Sequence, residues 1–287
     1  MNEFLGLKEE IAINSSYDNL KYWTLFKEIC VICISSSNFF KIKENLNNVG
    51  IYNFKYFIFN TPEKVINNGP KDISFYNIIS QNYCDETCKN IYNNHIYLID
   101  KYHSKGNILI FEDDIEFSKF NNKKLEASYN FIKNNNWDIF FYGYIQYPIL
   151  FSYFRNRNIV KLVNPLGMQG YCLSKQGMKK VLDFSKKINK KYPIDYLYNQ
   201  IPKFKKFGVF PSIAFQSKSP GLYRTFQNKV KPFKYIEFNR ISIISEYISL
   251  LMPILLILVT LTSMYIMKKM KFVKHKAKIL KLLYETI

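Results

Sequence analysis

The sequence predicts an α/β domain with a mostly parallel sheet flanked by helices, followed by a C-terminal transmembrane helix. Short apolar runs typical of buried strands alternate with segments of helical periodicity, which is the pattern of α/β domains. The chain has 287 residues, of which 48% are apolar, enough to bury a sizeable core. An uncharged apolar run from Tyr247 to Met267 predicts the membrane helix.

The first half of the chain is predicted to supply three strands and a helix. Lys27–Ser37 is an apolar run that ends in small polar residues, and Phe54–Asn60 is a second strand-like run. Cys88–Gly106 carries apolar residues at near-helical spacing and closes with glycine, which predicts a helix. Ile108–Phe111 is uniformly apolar and therefore suits a strand that is buried on both faces.

The second half continues the alternation. Lys123–Asn136 is predicted to be helical, and the aromatic-rich run Trp137–Pro148 is predicted to be a strand. In Tyr171–Ile188 a strand end leads into a helix, for which Ser174 is the predicted N-cap. A short strand is expected within Gly208–Phe215.

A cluster of carboxylates follows the buried strand at Ile108–Phe111: Glu112, Asp113, Asp114 and then Glu116. Two carboxylates about 4 Å apart repel by roughly 4 kcal/mol at an effective dielectric near 20. Water, a bound cation or a retained proton relieves that repulsion. Ligands of open α/β sheets bind beyond the carboxyl ends of strands, and carboxylates suit Mg²⁺ or Mn²⁺. The cluster therefore predicts a metal site, with a solvated acidic turn as the alternative.

The net charge of +19, from 41 Lys plus Arg against 22 Asp plus Glu, predicts attraction to polyanions. Phosphorylated ligands, nucleic acid and an anionic membrane surface all satisfy it. A nucleic-acid-binding protein or nuclease should interleave basic and aromatic residues in one stripe. The lysines are instead spread along the chain, with their densest run just after the apolar segment, so we expect no specific nucleic acid.

Five cysteines and no secretory leader predict reduced thiols in a cytosol-facing domain. Cys84 and Cys88 have a spacing that suits zinc ligands. Cys30 and Cys33, however, lie within a predicted strand and point to opposite faces. Buried structural thiols are therefore the preferred interpretation, with zinc as the alternative.

The C-terminal part is predicted to be a single membrane anchor at residues 245–267, followed by a basic amphipathic tail at residues 268–287. A buried core helix is the alternative. The basic tail favours the cytosolic side by the positive-inside rule, and the leaderless domain also favours it. One crossing cannot satisfy both. We expect the large domain to face the cytosol, and a re-entrant or interfacial helix would reconcile the two signals.

Five stretches in a fixed order resemble the family-25 glycosyltransferases, the lipooligosaccharide and procollagen galactosyltransferase type. They are "NILIFEDDIEF", "WDIFFYG", "GMQGYCLSKQGMKKVL", "YPIDYL" and "VFPSIAFQSKS". The resemblance spans Cys30 to about Ser219 and implies a Rossmann-type GT-A domain at residues 27–240, after an extension at residues 1–26. It also implies transfer of a hexose from a UDP-sugar to a glycan or glycoprotein acceptor, assisted by Mn²⁺ or Mg²⁺.

The resemblance also implies residue roles. It makes the acidic motif the metal and diphosphate ligands, with Asp114 also catalytic, and it places the uridine and the donor near the ends of other strands. The residues concerned are Glu112, Asp113 and Asp114 for the metal, and Ser35, Ser36, Gly170 and Gln216, together with Glu112 and Asp113, for the donor. A turn is an equal explanation for Gly170.

Asp195 and His95 each have two interpretations. In the resemblance Asp195 lies on the acceptor side, where a carboxylate accepts the proton of the acceptor hydroxyl; a helix N-cap is the alternative. His95 is a ligand-contacting candidate, with core filling as the alternative. The family usually has a Ser-His pair where this chain has Asn94-His95. An inactive, glycosyltransferase-like membrane protein is therefore a further alternative, and retention or inversion stays open.

Overall fold

The computed structural model describes residues 2–4, 19–33, 36–58, 86–117, 121–145, 153–188, 193–216, 247–248, 251 and 254–270. Ser35 and Cys84 lie outside the described residues, as do most of the N-terminal extension and the basic tail beyond residue 270.

The described elements form one nine-stranded sheet, a two-stranded sheet and helices on both faces of the larger sheet. The strands are β1 Asn2–Phe4, β2 Glu28–Cys33, β3 Lys55–Ile58, β4 Ile108–Glu112, β5 Ile115–Phe117, β6 Ile139–Ile145, β7 Tyr153–Asn156, β8 Ile159–Lys161, β9 Leu166–Leu173, β10 Lys206–Val209 and β11 Ala214–Gln216. The helices are α1 Leu20–Trp23, α2 Phe39–Asn47, α3 Glu86–Tyr102, α4 Asn122–Asn134, α5 Lys175–Ser185 and α6 Ile194–Gln200, and a 3₁₀ turn spans Ser36–Asn38.

The large sheet has the order β1-β3-β2-β4-β9-β6-β10-β8-β7. Strands β3, β2 and β4 are parallel neighbours, as are β6 and β10. Strand β9 lies between β4 and β6 and is antiparallel to both. The sheet is therefore mixed, and its central parallel set confirms the α/β class. The antiparallel position of β9 is not predicted by the sequence, because a strand's direction depends on the long-range connection that places it.

Two apolar clusters hold the layers together, one on each face of the sheet. On one face α3, α5 and α6 pack over residues such as Leu98, Tyr171 and Met178. On the other face lie α1, α2 and α4, with Leu46 and Leu125 in the core. Strands β4 and β6 are buried along almost their whole length, because both of their faces are covered.

Local signals in the sequence fix several helix ends. The Ser174 hydroxyl accepts a hydrogen bond from the Gly177 N–H at 2.9 Å, which confirms the predicted N-cap of α5. The Asn121 side chain caps α4 in the same way by accepting from the Lys124 N–H. Gly106, with φ of +135°, lies between α3 and β4 in a conformation that favours glycine.

The C-terminal residues 254–270 are helical, and their large apolar side chains are exposed, Ile257 and Val259 among them. Within the described part of the chain, the helices fall short of the length and apolarity that a bilayer crossing requires.

The cysteines follow the prediction in part. Cys30, Cys33 and Cys172 are free and buried. Burial raises the pKa of the Cys33 thiol to about 12, so this thiol is neutral at physiological pH. Cys88, however, is disulfide-bonded, so the prediction that all five thiols are reduced is wrong for this residue.

Candidate active site

The acidic residues lie where β4 ends at the carboxyl edge of the central parallel strands. Ile32 of β2 is the register partner of Glu112, so the two strands end side by side. Asp113 and Asp114 form the turn into β5, and all three carboxylates are half-buried. The N-terminal end of β9 returns to this edge, because Leu166 pairs with Ile145 at the end of β6. The edge thus gathers side chains from distant parts of the sequence, as ligand sites of α/β sheets do.

Glu112 points toward the α3 face of the sheet. Its Oε2 accepts a hydrogen bond from Gln216 Nε2 at 3.1 Å, and its Oε1 lies 3.7 Å from Nε2 of His95. Gln216 reaches this position because β11 pairs with β5 directly after the acidic turn. The structure therefore brings Glu112, Gln216 and His95 together, as the resemblance implies for a common site.

Asp113 points the other way, toward the 3₁₀ turn that precedes α2. The Asn38 Nδ2 donates to Asp113 Oδ2 at 3.2 Å. Asn45 of α2 donates to the carbonyl of Ile115 at 3.0 Å, which ties the same turn to α2. Glu116 forms an exposed ion pair with Lys41 at 3.0 Å. The acidic turn is thus held by α2 on one face of the sheet while Glu112 engages α3 on the other.

The predicted three-carboxylate metal site does not assemble in this structure. Among the described residues, no group of three histidine, cysteine, aspartate or glutamate side chains lies close enough together to hold a metal ion. Glu112 is directed at the α3 side of the sheet, where Gln216 donates to its Oε2. Asp113 is directed at the turn before α2, where Asn38 donates to its Oδ2.

Asp195 lies in the first turn of α6 and is directed at the start of β9. Its Oδ2 accepts from the Gly167 N–H at 3.1 Å and its Oδ1 from the Tyr196 N–H at 2.8 Å. The N-cap of α6 is Pro193, so the alternative that Asp195 is the cap is wrong. Burial raises the pKa of the Asp195 carboxyl, the two N–H donors lower it, and the charge of Glu112 raises it. The contribution of Glu112 shows that the two carboxylates lie within electrostatic reach of each other.

The remaining predicted site residues occupy different surroundings. Ser36 is exposed in the 3₁₀ turn, two residues before the Asn38 that contacts Asp113. Gly170 is buried in β9, where an added Cβ would lie 2.8 Å from the Phe111 ring. The absence of a side chain at Gly170 thus serves packing between β9 and β4, and its contact with the donor stays a prediction.

Sequence reasoning missed three polar residues of this edge. Asn38 contacts Asp113, and Tyr171 and Tyr198 lie behind His95. The sequence does not distinguish these two tyrosines, because the chain contains 23 tyrosines. Of these three residues, only Asn38 had a local signal, because it is a polar residue shortly after the end of β2.

Comparison with known proteins bears on this site. Residues 92–198 match the sequence model of glycosyltransferase family 25 (LPS biosynthesis protein), a match that covers less than half of the chain. No curated protein sequence matches the chain significantly.

Two solved structures show weak likeness. A197 from STIV is 11% identical with a TM-score of 0.36, covering 67% of this chain and 86% of its own. A glycosyltransferase involved in the glycosylation of the major capsid of PBCV-1 is 11% identical with a TM-score of 0.35, covering 71% and 100%. Likenesses of this size carry no conclusion about activity.

The class of protein that residues 92–198 define is thus a transferase of the glycosyltransferase type. The segment at residues 92–198 carries the family-25 signature and includes the acidic turn, His95 and Asp195. Over these residues the match confirms the resemblance that the order of motifs indicates.

Proposed function

We propose that the protein transfers a hexose from a nucleotide sugar, with UDP as the nucleotide, to a glycan or glycoprotein acceptor. The observation that supports this most is the group of half-buried carboxylates at the carboxyl edge of β2 and β4, inside the family-25 segment. Ser35 and Ser36, which follow β2 in the sequence, are the proposed contacts of the uridine, and Gln216 is the proposed contact on the donor side.

Metal dependence on Mn²⁺ or Mg²⁺ is part of the proposal. Mg²⁺ is commonly bound by one or two carboxylates, with substrate phosphates and water completing its shell. Asp113 and Asp114 of the turn would hold such a cation without a third protein ligand. The cation would neutralise negative charge on the diphosphate leaving group.

Asp195 is the proposed general base for the acceptor hydroxyl. A carboxylate with a raised pKa is a better proton acceptor at neutral pH than an ordinary aspartate. Its two backbone hydrogen bonds hold both oxygens in place at the start of β9. Acceptor binding next to Gly167 would bring the hydroxyl within reach of this carboxylate.

A donor screen tests the proposal. The full chain in detergent is incubated with a panel of UDP-, GDP-, CMP- and TDP-sugars, with Mn²⁺ or with chelator, and nucleotide release is measured. We expect release from a UDP-hexose that requires the metal. Absence of release and of donor binding across the panel would favour the inactive membrane protein instead. Tight, salt-sensitive binding to DNA would favour the nucleic-acid alternative.

Membrane attachment through the C-terminal segment is also proposed. Its support is the uncharged run from Tyr247 to Met267, the exposed apolar side chains of helical residues 254–270, and the lysines that follow. A cytosol-facing catalytic domain stays a prediction. The disulfide at Cys88 and the basic tail favour the opposite orientation, because disulfides persist in oxidising compartments and lysines favour the cytosolic side.

Placing two arginines in this segment of the full chain, as Leu256→Arg with Val259→Arg, should move the protein from the membrane fraction to the soluble fraction. Each arginine at a membrane helix centre costs about 2.5–3.5 kcal/mol of insertion free energy. The control is Phe40→Arg, an exposed apolar residue of α2, which should leave fractionation unchanged. A doubly substituted chain that still sediments with membranes and resists carbonate extraction would contradict the anchor.

A further inference from the structure

A network of polar side chains runs through the core behind Glu112. The His95 ring is fully buried, and its Nδ1 lies 2.7 Å from the hydroxyl of Tyr171. The Tyr198 hydroxyl lies 3.2 Å from that of Tyr171. The other ring nitrogen, Nε2, faces Glu112 Oε1 at 3.7 Å. The four residues come from α3, β4, β9 and α6, so the network connects the helices on one face of the sheet to the acidic turn.

The carboxylate end determines the direction of the hydrogen bonds. An ionised carboxylate only accepts, so the nitrogen of a neutral imidazole that faces it should carry the proton. Nδ1 then accepts a hydrogen bond from the Tyr171 hydroxyl. Because the Tyr171 hydroxyl donates to Nδ1, its oxygen is the acceptor for the Tyr198 hydroxyl, 3.2 Å away. Burial raises the pKa of both phenols, so each keeps the proton that it donates.

The hydrogen bonds of this network do not explain the 3.7 Å distance between His95 Nε2 and Glu112 Oε1. His95 Nε2 is buried and has no hydrogen-bond partner among the described residues. At 3.7 Å the Glu112 oxygen is beyond hydrogen-bond distance. A buried donor without a partner is unfavourable, so packing alone does not explain why the ring holds Nε2 at this position. Catalytic hydrogen bonds that are long in the ligand-free protein commonly shorten when substrate binds.

We propose that His95 is a positioning residue that aligns the Glu112 carboxylate for the nucleotide sugar, with its Nε2–H tautomer fixed by Tyr198 and Tyr171. This inference rests on the proposed function. Glu112 is the member able to move, since its side chain is 23% exposed at a strand end whereas that of His95 is 0% exposed. When Glu112 closes onto Nε2–H, its two oxygens are held by His95 and Gln216, and its orientation toward the donor is fixed.

Two substitutions of His95 separate positioning from packing. In His95→Gln the side-chain amide nitrogen takes the place of Nε2 and still donates to Glu112. In His95→Asn the polar group takes the place of Nδ1, so the contact with Tyr171 is kept and the donor to Glu112 is lost. We expect kcat/KM of His95→Gln to stay within about threefold of the original, and that of His95→Asn to fall by about 10–100-fold. Equal activity of the two variants, at equal unfolding midpoints, would overturn the proposal.

The tautomer is measured without any assay of activity. The chain has only three histidines, so ¹⁵N-histidine NMR of the full chain in detergent, with His95→Gln for assignment, resolves the ring nitrogens of His95. We expect a protonated Nε2 and an unprotonated Nδ1, and a loss of this fixed pattern in Tyr171→Phe. Protonation at Nδ1, or an unchanged pattern in Tyr171→Phe, would contradict the proposed hydrogen-bond network. If no donor is turned over, the proposed function fails. The NMR result still decides whether this hydrogen-bond network exists.

Discussion

Asp114→Asn should lower metal-dependent nucleotide release by about 100-fold or more, the loss typical of removing one group that stabilises charge in a transition state. Asp114 lies in the turn after β4 and is half-buried, and its Oδ1 is buried. Asparagine keeps the volume and removes the negative charge, so a loss reports the charge. The measurement is initial rate of nucleotide release against donor and Mn²⁺ concentration.

The matched control for Asp114 is Glu116→Gln. Glu116 is in the same acidic stretch, but its side chain is 39% exposed and pairs with an exposed Lys41. Exposed ion pairs contribute little, so this variant should keep its activity within about twofold. Activity of Asp114→Asn within threefold of the original, with an unchanged unfolding midpoint, would remove Asp114 from the site.

Gly143→Ala should destabilise the fold and weaken the site together. A Cβ at Gly143 in β6 would lie 2.1 Å from the carbonyl oxygen of Ala214 and 2.8 Å from its carbonyl carbon. Those are backbone atoms, so β11 would have to move as a unit. Overpacking of this kind costs about 3 kcal/mol of unfolding free energy. Because β11 carries Gln216, which donates to Glu112, we also expect weaker donor binding.

The control for Gly143 is Gly208→Ala in the neighbouring part of the same sheet. There an added Cβ would meet side-chain atoms, the Tyr144 ring at 2.8 Å and Leu162 at 2.9 Å, which are able to shift. Chemical denaturation of both variants should show the larger loss for Gly143→Ala. A denaturation midpoint for Gly143→Ala equal to that of the original protein would contradict the close approach of β6 and β11.

The sequence located the acidic edge but not the orientation of its side chains. Four apolar residues followed by carboxylates predicted a buried strand that ends at a ligand site, and β4 fits that description. Only the structure shows that Glu112 and Asp113 are directed at different neighbours, α3 and the turn before α2, and the metal role of the three carboxylates stays a prediction. Gly170 shows the same limit, since a glycine suited to a close ligand approach equally suits a close approach of Phe111.

The role of His95 depends on residues that are distant from it in the sequence. As a lone histidine in an apolar helix it had two interpretations, core filling and ligand contact, and the structure places it between them, buried yet facing Glu112. Nothing within α3 distinguishes these roles. The partners that decide are Tyr171 and Tyr198, more than 70 residues away in sequence from His95 in the nearer case.

By itself, the sequence determined the properties that neighbours along the chain control: the alternation of buried strands and helices, the caps of α4 and α5, the charge, the apolar C-terminal run and the carboxylates after β4. These follow from local sterics, hydrogen bonding and periodicity, which act over a few residues. Only the tertiary structure decided that β9 lies antiparallel between β4 and β6, that β11 brings Gln216 to Glu112, and that two tyrosines stand behind His95. Those contacts depend on how distant segments pack. The same local sequence is compatible with several such arrangements, so it does not reveal which one is adopted.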